Sequence, residues 1–229
     1  MKKVCFDFDE EKIISGINTE IPLFPLDNVV LFPSTILPLH IFEERYKQMV
    51  KDCVNSHNLI CMTLLNSETE KNDSNALSNI GCIGRIISDE EVEDGKHNII
   101  LYGLRRIRIK EVIYSKPYRQ AKIDIVKTFP SENPEAYFKK IIELVNNWNL
   151  LLDEVSENYK IELDPEASLS KVTDSLSSLV VARASERQTL LEEINDSRRA
   201  EKIIEILKSR IDLLSGIIEV PDKNSVLIN

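Results

Sequence analysis

The chain lacks most of what a membrane protein, a nucleic-acid binder or a hydrolase would display. No stretch approaches the roughly 20 consecutive apolar residues of a membrane-spanning helix. The opening MKKVCFDFDEEK turns acidic after two lysines and has no apolar core of the signal-peptide kind. Positive charge is not in excess: 29 Lys and Arg against 38 Asp and Glu give a net charge of -9. No sequence-independent attraction to nucleic acid or anionic lipid is therefore expected. Cysteine is sparse, and Cys5, Cys53, Cys61 and Cys82 include no C-x-x-C pair. That distribution fits reduced thiols in a cytoplasmic protein.

Catalytic motifs are missing too. There is no G-x-x-x-x-G-K-[ST] loop to cradle phosphates and no G-x-S-x-G nucleophile turn. Ser170 and Lys171 are adjacent at a predicted helix start, without a supporting motif. Cys53-x-x-x-His57-x-x-x-Cys61 gathers soft ligands, but zinc needs four and no second pair exists. It reads as a helix-facing cysteine, a loop histidine and a strand-core cysteine. The expectation is a chain with no catalytic residue, no cofactor and no metal.

What is present is 229 residues, 42% hydrophobic and 29% charged, enough to bury a core without disulfides. The run EIPLFPLDNVVLFPSTILPLHIFEERYKQMV (20–50) is apolar yet cut by Pro22, Pro25, Pro33 and Pro38. Proline lacks a backbone donor, so the run reads as short or bent strands with prolines at edges and bends, then a helix. Phe42, Tyr46, Met49, Val50 and Cys53 share the predicted helix face. LICMTLL (59–65) is a short apolar strand, and the polar stretch 66–79 an exposed loop. Asp94-Gly95 between β-branched runs predicts a hairpin. Gly81, Gly84 and Gly103 inside strand patterns suggest bulges, and 118–129 alternates as one more strand.

Beyond residue 130 the pattern turns helical. Asn133-Pro134 and Asp164-Pro165 look like helix starts. Ser185 with Gln188 spells a capping box. Ala200, Ile204, Leu207, Ile211 and Leu214 line one face of a last helix, with Gly216 as its expected C-cap. Arg106, Arg108 and Lys110 alternate with Ile107 and Ile109, giving a basic stripe on one strand face.

The segment IPLFPLDNVVLFPSTILPLHIFEERY resembles the opening of the Lon protease N-terminal (substrate-binding) domain family. GCIGRI, the signature GLRRIRI at Gly103–Ile109, and RQTLLEEINDSRRAEKIIEIL are similar to its later segments. Ser34 stands where that family usually has glycine, and Ala200 where leucine is common. The resemblance implies an α+β fold: a PUA-like small β-barrel with an early helix, followed by a C-terminal α-helical bundle. The organisation expected is an N-terminal extension (1–19), the barrel (20–130), the bundle (131–216) and a tail (217–229). The ATPase and Ser-Lys peptidase modules of a full Lon protease have no counterpart in these residues.

The resemblance further implies a non-catalytic module that binds exposed apolar segments of unfolded or partner proteins. A separate Lon-type protease is a candidate partner. The expected contact residues are Leu31, Phe32, Ile36, Leu39, Phe42 and Tyr46, where short strands beside a helix would form a groove. The alternative functions are a homodimer-forming adaptor, joined through the C-terminal helical face, and an RNA-binding PUA-like protein using the basic stripe.

Overall fold

The structure is a computed structural model and describes residues 8–17, 20–65, 77–153 and 160–218. The elements run α1 (Glu10–Ser15), β1 (Ile21–Leu26), β2 (Ile36–Ile41), α2 (Glu44–Val54), β3 (Leu59–Leu64), β4 (Ile80–Val92), β5 (Lys96–Ile113), β6 (Gln120–Ile125), α3 (Pro134–Asp153), α4 (Leu169–Val180), α5 (Ala184–Glu192) and α6 (Asp196–Ile218). The fold is α+β, with six helices and a mixed six-stranded sheet among the described residues.

By contact the chain divides into two units. One comprises residues 1–129 and 174–194, the other 130–173 and 195–229. The division falls inside α4, so the helical second half of the sequence is shared between the units rather than forming one block.

In the first unit the strand order is β2-β5-β4-β3-β1-β6, and β6 pairs again with β5. The hydrogen-bonded pairings thus return on themselves through β5, β4, β3, β1 and β6. Only β1–β3 is parallel, and α2 lies in the crossover between β2 and β3. Pro22 and Pro25 sit in β1 with both faces buried. The stretch VVLF, expected as strand, is irregular backbone, although Val30, Leu31 and Phe32 are buried.

The β4–β5 hairpin turns where Asp94 (φ 61) and Gly95 (φ 64) both adopt left-handed backbone, as the Asp-Gly pair predicts. Its register shifts between Ile83 and Gly84 and between Ile86 and Ser88. These irregularities interrupt the ladder of two long strands of 13 and 18 residues, and the first falls at Gly84, one of the glycines expected at bulges.

Two apolar clusters fill this unit. One gathers Phe24, Leu31, Tyr46, Met49, Ile60 and Leu101; the other Leu23, Leu59, Ile83, Leu104 and Ile107. Tyr46, Met49, Val50 and Cys53 are the buried face of α2, as its spacing predicts. Phe42 is not on that face: it precedes the helix and is exposed. The expected loop 66–79 falls largely outside the described residues.

In the second unit α3 packs on α6. Asn133 caps α3, its Oδ1 accepting from the Ala136 amide at 3.3 Å. Ile141, Leu144 and Val145 of α3 and Ala200, Ile203 and Leu207 of α6 are buried. Arg199 is fully buried, donating to Asp196, Thr173 and Ser170.

Three helix-end expectations are corrected. Asp164-Pro165 forms a turn, Glu166 N–H donating to Asp164 Oδ1, and α4 starts only after Ser168. Ser185 lies inside α5, and Gln188 donates instead to the Ile80 carbonyl on β4. Gly216 lies within α6, which continues to Ile218. For Gln188 a long-range acceptor outweighs a cap preference of about 1 kcal/mol.

Candidate functional site

Strand β2 ends the strand order and pairs only with β5 among the described strands. Its side chains alternate. Leu37, Leu39 and Ile41 turn to the Phe24 cluster, while Ile36, Pro38 and His40 are exposed. Phe42, one residue past the strand, is 61% exposed, and its ring stacks with that of His40 at 6.2 Å. His40 Nδ1 lies 2.8 Å from Asn98 Oδ1, which fixes that ring. Ile36, Pro38, His40 and Phe42 therefore form an apolar and aromatic ridge on an edge strand.

The edge is a poor template for another strand. Gly103 N–H donates to the Thr35 carbonyl at 2.9 Å. Counting on by twos, Leu37, Leu39 and Ile41 bond to β5, and the backbone of Ile36, Pro38 and His40 faces outward. Pro38 has no donor to offer, so the outward edge is interrupted at its middle. Recognition here would run through side chains more than through an added strand.

The six residues expected to contact a partner are divided by the fold. Leu31, Phe32 and Tyr46 are core, with exposures of 2%, 0% and 6%. Tyr46 packs its ring 4.4 Å from that of Phe24 under the Arg45 guanidinium, and burial raises its hydroxyl pKa. Leu39 is half-buried, and only Ile36 and Phe42 are open. Sequence spacing missed Pro38 and His40. The signal that could have found them is the alternation of β2, which places them on the same face as Ile36.

The basic stripe is dismantled. Arg106 is buried and donates two bonds to Asp174, at 2.6 and 2.9 Å, and one to the Leu191 carbonyl. Lys110 forms an exposed pair with Asp124 and Arg108 is exposed, so the three do not form one row of free cations on a single face. Of the face expected to join two copies, Ala200 and Leu207 are fully buried, while Ile204, Ile211 and Leu214 are half-buried.

The soft-ligand cluster is likewise structural. Cys53 Sγ lies 3.4 Å from the Leu59 carbonyl, and His57 Nδ1 accepts from the Leu59 amide. Burial pushes the Cys53 thiol up to about 12, which makes it an unreactive core residue. No group of three or more His, Cys, Asp or Glu among the described residues is placed to hold a metal.

A polar cleft of ≈ 370 Å³ is lined by Glu20, Asp52, Asn55, His57, Lys116 and Tyr118, among others. Lys116 Nζ and Tyr118 Oη donate to Asp52 Oδ2 at 2.7 and 2.6 Å, and Gln48 donates to Oδ1. Those bonds hold the Asp52 carboxyl at about 2. The carboxylate is saturated by its neighbours, and the arrangement clasps α2 to the segment before β6.

Comparison with known proteins adds to this geometry. The model of the ATP-dependent protease La (LON) substrate-binding domain family matches residues 20–209. The Lon protease of Buchnera aphidicola subsp. Baizongia pistaciae is 24% identical over 198 residues, covering 85% of this chain and 25% of that protein. Lon protease 2 of Myxococcus xanthus is 28% identical over 208 residues, 85% of this chain and 24% of that protein. The chain thus spans about a quarter of the length of these relatives. The solved N-terminal domain of the Mycobacterium avium complex Lon protease superposes with a TM-score of 0.61 at 13% identity, covering 83% of this chain and 98% of that one. A Lon N-terminal domain protein from Xanthomonas campestris gives 0.58 at 22% identity, covering 82% and 98%. At these identities the superpositions speak for the fold alone.

Proposed function

Because the chain belongs to the LON substrate-binding domain family, we propose that it is a non-catalytic recognition module for exposed apolar segments of other proteins. The observation that carries this reading is the ridge of Ile36, Pro38, His40 and Phe42. Singly exposed apolar side chains are ordinary, but a contiguous run of them on one face of an ordered strand is the kind of patch that marks a contact surface. Phe42 and Ile36 supply the apolar area, and the His40–Phe42 stack and the Asn98 contact hold that surface in place before a partner arrives. Leu39 supports the ridge from beneath.

Several observations support the absence of catalysis. The family match is to a substrate-binding domain, the sequence has no phosphate loop, and the serine beside Lys171 serves as an acceptor for buried Arg199. The partners are unfolded or partly unfolded proteins, and a separate Lon-type protease could receive them. A cytoplasmic location fits the reduced thiols. No helix among the described residues is long and apolar enough to cross a membrane.

The test is aggregation of a chemically denatured client in the presence of the full chain. Wild type should suppress it, and Ile36→Asp with Phe42→Asp should abolish suppression while the circular dichroism spectrum stays native. Phe32→Asp should instead unfold the domain, since it places a charge in a fully buried site. A wild type that gives no protection even in molar excess would refute the reading, as would a doubly substituted chain that protects as well as wild type.

A further inference from the structure

A second surface carries an inference independent of the β2 ridge. We propose that the sheet face beneath α1 is a protein-interaction groove. In this structure it is filled by the chain's own residues 8–17, and on their release it takes an acidic amphipathic segment of a partner protein.

The arm lies outside the family match, which begins at residue 20, and it is bound in the manner of a ligand. Phe8 meets the Tyr102 ring edge-on at 5.8 Å and lies under the Arg85 guanidinium at 5.2 Å. Asp9 caps the helix, its Oδ1 accepting from the Lys12 amide at 3.1 Å. Glu10 and Glu11 both engage Arg105, one on each terminal nitrogen. Ile13, Ile14 and Ile17 pack against the cluster that contains Leu23, Leu59, Leu104 and Ile107.

The hold is weak by construction. A six-residue helix does not sustain itself in water, so docking is what orders it. None of its residues is buried. The charge clamp is partly open to solvent, with Arg105 33% and Glu11 81% exposed. Each such pair contributes modestly and is screened by salt, whereas reversing a charge turns both attractions into repulsion. The arm keeps its place chiefly because covalent attachment gives it a high local concentration. Loosening the arm would expose an apolar face flanked by Arg85 and Arg105.

The chemistry of the occupant is read from the arm itself. It needs an aromatic residue, then two carboxylates to meet Arg105, then branched apolar residues on one face of a helical turn. Charge complementarity excludes basic segments, which the two arginines would repel.

The experiment uses the full chain with Ile13→Ser and Ile14→Ser to release the arm, and a fluorescent peptide of residues 1–19 as the probe. Anisotropy should show the released chain binding the peptide at least tenfold more tightly than wild type, whose own arm competes. Adding Arg105→Glu should cost tenfold or more, and a peptide with Glu10→Lys and Glu11→Lys should recover binding to that chain. A second released form, the full chain with Glu10→Lys and Glu11→Lys, alters only arm side chains and guards against misfolding. If neither released form, natively folded, binds the peptide, the groove does not exist. If wild type is a dimer that excess peptide dissolves, the occupant is a second copy's arm and the partner-protein form of the proposal is overturned.

Discussion

Arg106 on β5 and Asp174 on α4, 68 positions apart, form a two-bonded ion pair in which each side chain is 2% exposed. Arg106 also donates its Nε–H to the Leu191 carbonyl at 2.8 Å. One guanidinium thereby ties three parts of the first unit together, and the planar fork suits the carboxylate in a way a lysine could not.

Breaking that pair on one side should be far worse than removing it altogether. Arg106→Ala leaves Asp174 buried without its counter-charge and should cost about 3–5 kcal/mol. Arg106→Met combined with Asp174→Leu should recover most of the loss, because two desolvated charges are replaced by apolar packing. Chemical denaturation of the two single variants and the double variant measures the coupling. Additive losses would show that the pair acts as two unrelated residues.

Gly103→Val should destabilise by about 3 kcal/mol or more. A Cβ at this position would lie 2.0 Å from the Phe32 carbonyl oxygen, a backbone atom that cannot rotate away. Two hydrogen bonds lock the approach: Ser34 N–H to the Gly103 carbonyl and Gly103 N–H to the Thr35 carbonyl. The reason for glycine is close backbone contact rather than positive φ. A melting temperature equal to wild type would refute the clash.

Ser34→Gly should leave stability unchanged or raise it by up to about 1 kcal/mol. Phe32-Pro33-Ser34-Thr35 is a turn closed by Thr35 N–H to the Phe32 carbonyl, and Ser34 holds a φ of 59. Proline followed by a left-handed residue is the pattern of a type II turn, where glycine carries no Cβ penalty. The departure of Ser34 from the family pattern is thus a strained position. A loss of stability in thermal denaturation would show that the serine side chain outweighs the backbone strain.

The Asp52 clasp gives stability two pH limbs. Hydrogen bonds from Lys116, then Tyr118, lower the Asp52 carboxyl from 3.8 to about 2. Its contribution is therefore present above about 4 and disappears as pH falls through 2. Burial, then the bond to Asp52, pushes Tyr118 up to about 12, and the bond to Asp52 raises Lys116. Those contributions are complete below about 10 and fade as pH rises through 12. The groups are partly open to solvent, so each limb should be modest. Asp52→Asn should lower the melting temperature at pH 7 and converge on wild type near pH 2. A gap that is constant with pH would rule out the charged clasp.

Local chemistry accounts for what was legible in the residues alone. Asp94-Gly95 adopts left-handed backbone in its hairpin, Asn133 caps α3, and Tyr46, Met49, Val50 and Cys53 form the buried face of α2, because each depends on neighbours within a few positions. The order of segments and the family resemblance were also in the sequence. Tertiary structure decided the rest. Leu31 and Phe32 are as apolar as Ile36 and Phe42, yet one pair fills the core and the other faces solvent, since burial depends on which strand lies opposite. Arg106 reads as part of a cationic stripe until Asp174 arrives from a distant helix and neutralises it. Ser185 and Gln188 spell a capping box, but Gln188 finds the Ile80 carbonyl 108 positions away, and a long-range acceptor outweighs a local one. Side-chain chemistry sets what a residue can do, and only the partner brought to it by the fold sets which of those things it does.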